Sequence, residues 1–251
     1  MTVGQPDPGV DVLVLGPVGL QRGDDFVSPP SGVFRAVLAA LALAGPAGLS
    51  SSELFNAVWG SRAASAERST ITVTIHRIRQ WLQETVGDAV RIERSSSGYV
   101  LSADSDVAQF RRLAVSGRYA EALALWRGRA LADVPADSQD PVAIAALVRD
   151  RLDAAYSYAK AFDDPAAVVR ALAPLVEEHP LDEPLQAYWM QALASTGRQA
   201  DALDAYERVR HRLRTELGVD PGAALTECLV KILRSEIPTR QPSVQRSTVT
   251  P

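Results

Sequence analysis

The chain has 251 residues, enough for one large domain or two ordinary ones, and 47% hydrophobic against 22% charged residues is a globular balance. The net charge of −4 excludes a molecule that is basic throughout, and a single cysteine, Cys228, excludes an internal disulfide and suits a reducing cytoplasm. No apolar run reaches membrane-spanning length, Met1–Gly9 is too polar for a secretory leader, and the scattered His76, His179 and His211 form no metal cluster.

In chain order, Val10–Gly16 is a short apolar run ending at glycine. Gly19–Val27 then places Arg22-Gly23-Asp24 between two short extended segments, a hairpin signal. Phe34–Ala44 is rich in alanine and leucine and stops at Gly45-Pro46, so it is predicted to be helical. Ser50 with Glu53 three residues on is a capping box for a second helix that carries Leu54, Val58 and Trp59 and ends at Gly60. Ser65 is the N-cap candidate of a third, with Glu67 in its first turn.

That third segment is ambiguous. Thr70-Ile71-Thr72-Val73-Thr74-Ile75 alternates like a half-buried strand, whereas Ile71, Ile75, Ile78 and Leu82 follow helical spacing. Strands run to about five or six residues. The apolar series here spans twelve positions without glycine or proline, so helix is predicted from Glu67 to about Thr85. Val90–Leu101 alternates around Ser-Ser-Ser-Gly, a second hairpin.

From Asp106 the pattern is helical almost throughout and repeats internally. Gly117–Trp126, GRYAEALALW, matches Gly197–Tyr206, GRQADALDAY, at five of ten positions. Glycine, then alanine, then an aromatic is the pattern of a tetratricopeptide helix pair: a tight turn, a close helix approach and a filled groove. A degenerate copy, Asp163–Pro180, begins about 34 residues before Gly197, the period of such repeats, with Asp163 in place of the glycine. The predicted architecture is an α+β winged helix-turn-helix domain over residues 1–102 and an all-α tetratricopeptide-like repeat domain over 103–237. Residues 238–251 read as a disordered tail.

Winding Ser69–Leu82 at roughly 100° per residue collects Ile71, Ile75, Ile78 and Leu82 on one stripe. Ser69, Thr72, Val73, His76, Arg77 and Gln80 cover the opposite face, with Thr70 and Arg79 on its flanks. Short side chains let a helix enter the major groove closely. Threonine or valine methyls can pack on thymine methyls, and arginine can bond guanine bidentately. Four arginines, Arg62, Arg68, Arg77 and Arg79, against one carboxylate, Glu67, concentrate positive charge between Arg62 and Leu82. An ordinary solvated helix with chance arginines competes with this reading. The helix-turn-helix order before it and the hairpin after it favour DNA. The hairpin tip Arg94, Ser95, Ser96, Ser97 is a candidate wing for phosphate or the minor groove, and a plain surface hairpin fits local sequence equally well. Trp59 and Trp81 follow apolar helical patterns and read as core, as does Cys228. No phosphate loop, catalytic triad or metal spacing occurs, so neither an enzyme nor a cofactor is implied.

These segments carry a resemblance. LGPVGL, FRAVLAALAL, SSELFNAVWG, SAERSTITVTIHRIRQWL and GYVL, followed by EALALWRGRALADVP, LVEEHPLDEPLQAYWMQAL and GRQADALDAYERVRHRLRTELGVDPGAAL, make the chain resemble the Streptomyces antibiotic regulatory protein family. That family joins an OmpR-type winged helix to a bacterial transcriptional activation domain of tetratricopeptide repeats, and the similarity covers Val12–Leu233. The resemblance implies a cytoplasmic, sequence-specific activator of a secondary-metabolite gene cluster. Its implied partners are double-stranded DNA carrying direct repeats, RNA polymerase holoenzyme and further copies of itself on DNA, with no membrane. Carried over by position, Ser69, Thr72, Val73, His76, Arg77 and Arg79 are recognition-helix contacts, and Arg94 with its serines is the wing. Three departures stand out. The first helix starts Ser31-Gly32-Val33-Phe34, so a phosphate contact expected there is in doubt; His76 stands where arginine is common; and the middle repeat lacks its glycine.

Two other functions compete. A repeat scaffold whose winged helix serves protein contacts is compatible with eight arginines against nine acidic residues in 1–102. An enzyme is motivated only by the groove that stacked repeats form, and no residue in the sequence argues for a ligand there.

Overall fold

A computed structural model describes residues 9–60, 69–96, 98–161 and 164–237. The expected cap Ser65, its neighbours Arg62, Glu67 and Arg68, the wing residue Ser97, Asp163 and the tail all lie outside them. Two compact units divide the chain, Met1–Asp150 and Arg151–Pro251.

The first unit opens with an antiparallel sheet in which β1 (Val10–Leu13), β2 (Gly19–Arg22) and β3 (Asp25–Val27) pair in chain order, with Val12 opposite Leu20. Helix α1 (Gly32–Ala44) starts where the Ser31 hydroxyl accepts from the Phe34 amide and ends at Gly45. Helix α2 (Ser51–Trp59) carries the capping box: the Ser50 hydroxyl accepts from the Glu53 amide while the Glu53 carboxylate accepts from the Ser50 amide at 2.8 Å. Helix α3 (Ser69–Val86) settles the strand-or-helix question. Ile71, Ile75, Ile78 and Leu82 are at most 3% exposed, the stripe that helical spacing predicts. The hairpin of β4 (Ile92–Ser95) and β5 (Gly98–Leu101) follows, with Arg94 opposite Tyr99.

Helices α4 (Asp106–Val115) and α5 (Tyr119–Ala124) are the first tetratricopeptide-like pair, and α6 (Pro141–Ala161) contains the division between units. Within the first unit, residues before and after the expected boundary at 102/103 hydrogen-bond to one another. Asp106, 2% exposed, accepts from the Val14 amide at 2.8 Å and the Leu15 amide at 2.9 Å. Arg127 donates to the same carboxylate at 3.2 Å. The loop after α5 then runs along β1 and the turn behind it: the Arg127 amide donates to Leu15, and the Leu131 amide to Val14. Asp133 accepts from the Val18 amide at 2.8 Å and pairs with Arg35 of α1. Backbone donors of the turn between β1 and β2 thus find their acceptors in the sequence from α4 onward.

The second unit stacks α7 (Pro165–Glu178), α8 (Glu183–Ser195), α9 (Gln199–Arg212) and α10 (Ala223–Leu233). Asp164 caps α7 and Asp182 caps α8, each accepting from amides of the first turn. Gly197 turns the chain between α8 and α9 at φ +81°, a left-handed conformation that glycine adopts without penalty. Leu172, Leu185, Met190, Leu193, Ala202 and Leu225 form the core. A π-helical segment, Leu213–Leu217, continues α9. The expected fold class, winged helix-turn-helix followed by helical repeats, is what the structure has. No helix among the described residues is long and apolar enough to cross a membrane.

Candidate nucleic-acid interface

The buried stripe of α3 fixes its outward face. Thr72, Val73, His76, Arg77 and Gln80 are exposed, and Thr70 is half-buried. Val73 is 51% exposed, an apolar side chain standing among polar ones with no core to cover it. The helix runs through Ser69, whose side chain lies outside the described residues. Thr74, ambiguous in the sequence, is 9% exposed and belongs to the inner face. Arg77 meets no hydrogen-bond or ion-pair partner among the described residues, so its five donors are open to a ligand.

Arg79 is placed differently. Its Nε donates to the Ile92 carbonyl at 2.8 Å, tying α3 to the first strand of the hairpin. It is therefore a brace between the two candidate DNA-contacting elements as well as an exposed cation. Sequence reasoning missed the brace because its partner is a main-chain atom.

The hairpin is held by backbone as well. Leu49, in the turn before α2, and Tyr99 exchange amide-to-carbonyl hydrogen bonds of 2.9 and 2.8 Å. Gly98 makes the approach possible. It sits at φ +133°, and an added Cβ would lie 2.1 Å from the Leu49 carbonyl oxygen. Arg94 places its guanidinium 5.7 Å from the centre of the Tyr99 ring, and Ser95 and Ser96 are exposed beside it. Glycines at the end of the serine run and just before Leu49, Gly98 and Gly48, are the visible signs of this junction.

The start of α1 is closely packed. A Cβ on Gly32 would lie 2.7 Å from Pro135 Cγ, so the loop after α5 packs against this helix start. Trp81 packs edge-on to Phe34 and Trp59 stacks on Phe55 at 5.0 Å, which makes both tryptophans packing elements. Around the interface, Arg112 and a backbone amide hold the Asp104 carboxyl below its ordinary range, and burial raises that of Asp106. No group of three or more potential metal ligands occurs among the described residues.

A winged helix with an open, short-side-chained third helix, joined to a repeat domain, defines a class of bacterial transcriptional regulator. Two family models match it: "Transcriptional regulatory protein, C terminal" over residues 34–101 and "Bacterial transcriptional activator domain" over 88–233. Regulatory protein AfsR of Streptomyces griseus is 34% identical over 92% of this chain, which spans 25% of AfsR. Regulatory protein DnrI of Streptomyces peucetius is 29% identical, with 90% of this chain and 93% of DnrI covered. Transcriptional regulator RedD of Streptomyces coelicolor is 30% identical, with 93% and 73% covered. Mycobacterium tuberculosis EmbR, solved with a low-affinity phosphopeptide, matches the structure with a TM-score of 0.64 at 29% identity, covering 90% of this chain and 65% of EmbR. The chain belongs to the Streptomyces antibiotic regulatory protein family, whose members are transcriptional regulators and not enzymes.

Proposed function

We propose that the protein is a sequence-specific DNA-binding transcriptional activator of a secondary-metabolite gene cluster. Residues 1–102 make the DNA contact and 103–237 serve activation. The observation that carries the reading is the exposed set Thr72, Val73, His76, Arg77 and Gln80 on a helix whose other face is buried. In the major groove, the Val73 and Thr72 methyls would face thymine methyls, and Arg77 the N7 and O6 of guanine. Ser69 and Thr70 lie at the leading end of the same helix, while Arg94 and Ser95 to Ser97 approach phosphate or the minor groove. Arg79 supports both elements through Ile92. Protomers occupy tandem direct repeats beside promoters, associate with one another there and recruit RNA polymerase holoenzyme in the cytoplasm. Membership of a family of transcriptional regulators supports this reading.

Footprinting on promoters adjacent to the protein's own gene tests it. Evenly spaced protected repeats are expected, with Arg77→Ala weakening binding by about 1–3 kcal/mol and relaxing base preference at one position. A scaffold without a DNA site, which the balanced charge of residues 1–102 allows, would leave those promoters unprotected. Unchanged affinity and base preference in Arg77→Ala would remove α3 as the reading element.

A further inference from the structure

The second unit contains a cleft of about 580 Å³ walled by α7, α8 and α9. Val176 and Pro180, Trp189 of α8, and Ala205 and Val209 of α9 give it an apolar lining. The Trp189 ring is fixed by its indole N–H, which donates to the Val169 carbonyl at 3.1 Å. Arg208 and Arg212 stand on the same lining. Four residues apart, they lie one helical turn from each other, close enough for both guanidinium groups to serve one anion.

Their condition differs from that of the other arginines on and flanking α9, although Arg170 of α7 is likewise without a partner among the described residues. On the same helix, Arg198 pairs with Asp201 and Arg210 with Glu207; in the same unit Arg151 pairs with Glu178 and Arg214 with Asp220. The guanidinium groups of Arg208 and Arg212 have no hydrogen-bond or ion-pair partner among the described residues. Favourable interaction with the helix C-terminus accounts for a cation at Arg212, in the last turn, but not for two free guanidinium groups beside an apolar cleft. The π-helical segment begins immediately after Arg212, and such widened turns collect at functional sites. Glu177, the one carboxylate on the lining, belongs to α7, so the α9 wall remains cationic.

We propose that this cleft binds a small amphipathic acid: an apolar ring system against Val176, Trp189 and Val209, with its carboxylate held by Arg208 and Arg212. The volume falls within the range of small-molecule sites, roughly 300–1,000 Å³, and a few polar groups on an apolar lining is their usual composition. The buried rings supply affinity, and the paired guanidinium groups reject neutral or cationic analogues. The assignment stands on the second unit alone and is independent of DNA contact.

Fluorescence titration of the full chain with anilinonaphthalene sulfonate tests it, with phenylnaphthylamine as the same ring system lacking the acid. Saturable one-to-one binding of the sulfonate is expected, displaced by naphthylacetate. The Arg208→Ala/Arg212→Ala double variant should weaken it roughly tenfold or more and leave phenylnaphthylamine unchanged. Arg208→Lys/Arg212→Lys should recover part of the loss, and Arg210→Ala, which removes a paired arginine from the same helix, should bind as wild type. Circular-dichroism melting of each variant confirms an intact fold. Equal affinity for the two probes would overturn the proposal, as would an equal loss in Arg210→Ala. Displacement by a blocked acidic peptide but not by naphthylacetate would also overturn it, assigning the cleft to a peptide.

Discussion

The two copies of the glycine-arginine motif begin alike and end differently. Gly117 and Gly197 both adopt left-handed backbone, at φ +76° and +81°. After each, the arginine amide donates to a leucine carbonyl of the preceding helix, Leu113 or Leu193, and the arginine pairs with an acid three residues on, Glu121 or Asp201. Even the hydroxyls before the glycines match: Ser116 donates to Leu113, and Thr196 to Leu193. Yet α9 continues for 14 residues while α5 stops after 6. The offset that aligns the glycines also aligns Asp106 with Gln186, both buried. Gln186 donates to the Val176 carbonyl within its own helix stack, whereas Asp106 accepts from Val14 and Leu15 of the sheet. Local sequence sets the turn, and one buried polar residue selects what the pair packs against. Past α5 the chain holds Leu131 at φ +54°, a costly conformation for leucine that its bond to Val14 and its buried side chain maintain.

Three measurements can break or sharpen that contrast. The largest effect is expected from Asp106→Ala, which strands two buried amides and the Arg127 charge; it should cost about 3 kcal/mol in urea unfolding. Gln186→Ala strands one carbonyl and should cost about 1–2 kcal/mol. Equal losses would mean that the two positions are equivalent after all. A smaller effect is the pH dependence. Burial raises the Asp106 carboxyl above its ordinary value of 3.8, so the folded state holds the proton more tightly than the unfolded chain does. Its contribution is complete below the unfolded value and declines as pH rises through the raised one. Relative to Asp106→Asn, wild type should therefore lose stability with rising pH across the window just above 3.8, and no further beyond it. A flat difference between the two titration curves would contradict this. The smallest effect is shared by both copies: Arg118→Ala and Arg198→Ala break exposed, solvent-screened pairs and should leave unfolding midpoints unchanged. A clear loss in only one would show that the matched turns are energetically distinct.

Features whose cause lies within about four residues were legible in the sequence: the capping box at Ser50, the stripe from Ile71 to Leu82, and the left-handed glycines of the repeats. So was the outward face of α3, since burying one stripe fixes the other. What stayed hidden depends on partners far along the chain. Asp106 looks like any acidic first-turn residue until Val14 and Leu15 reach it, and nothing near Gly32 announces Pro135. Arg79 carries the same charge as Arg77, and only the Ile92 carbonyl separates them. Arg208 and Arg212 read as ordinary helix-surface cations. Their significance comes from guanidinium groups without an ion-pair partner among the described residues and from the apolar side chains that share their cleft, neither of which a sequence displays.

The junction between Leu49 and Tyr99 has a consequence for how binding preference can change over time. Its two bonds are main chain to main chain, and its strict side-chain requirements are the absence of side chains at Gly48 and Gly98, where an added Cβ would lie 2.7 Å from the Tyr99 and 2.1 Å from the Leu49 carbonyl oxygen. The exposed residue Ser96 can therefore be exchanged without moving the hairpin that carries it. On α3, Thr72, Val73 and His76 are similarly uncoupled from the stripe that seats the helix. Under the proposed function, drift at these positions would alter the surface offered to DNA while the scaffold stays put, so operator preference could diverge without a change of fold.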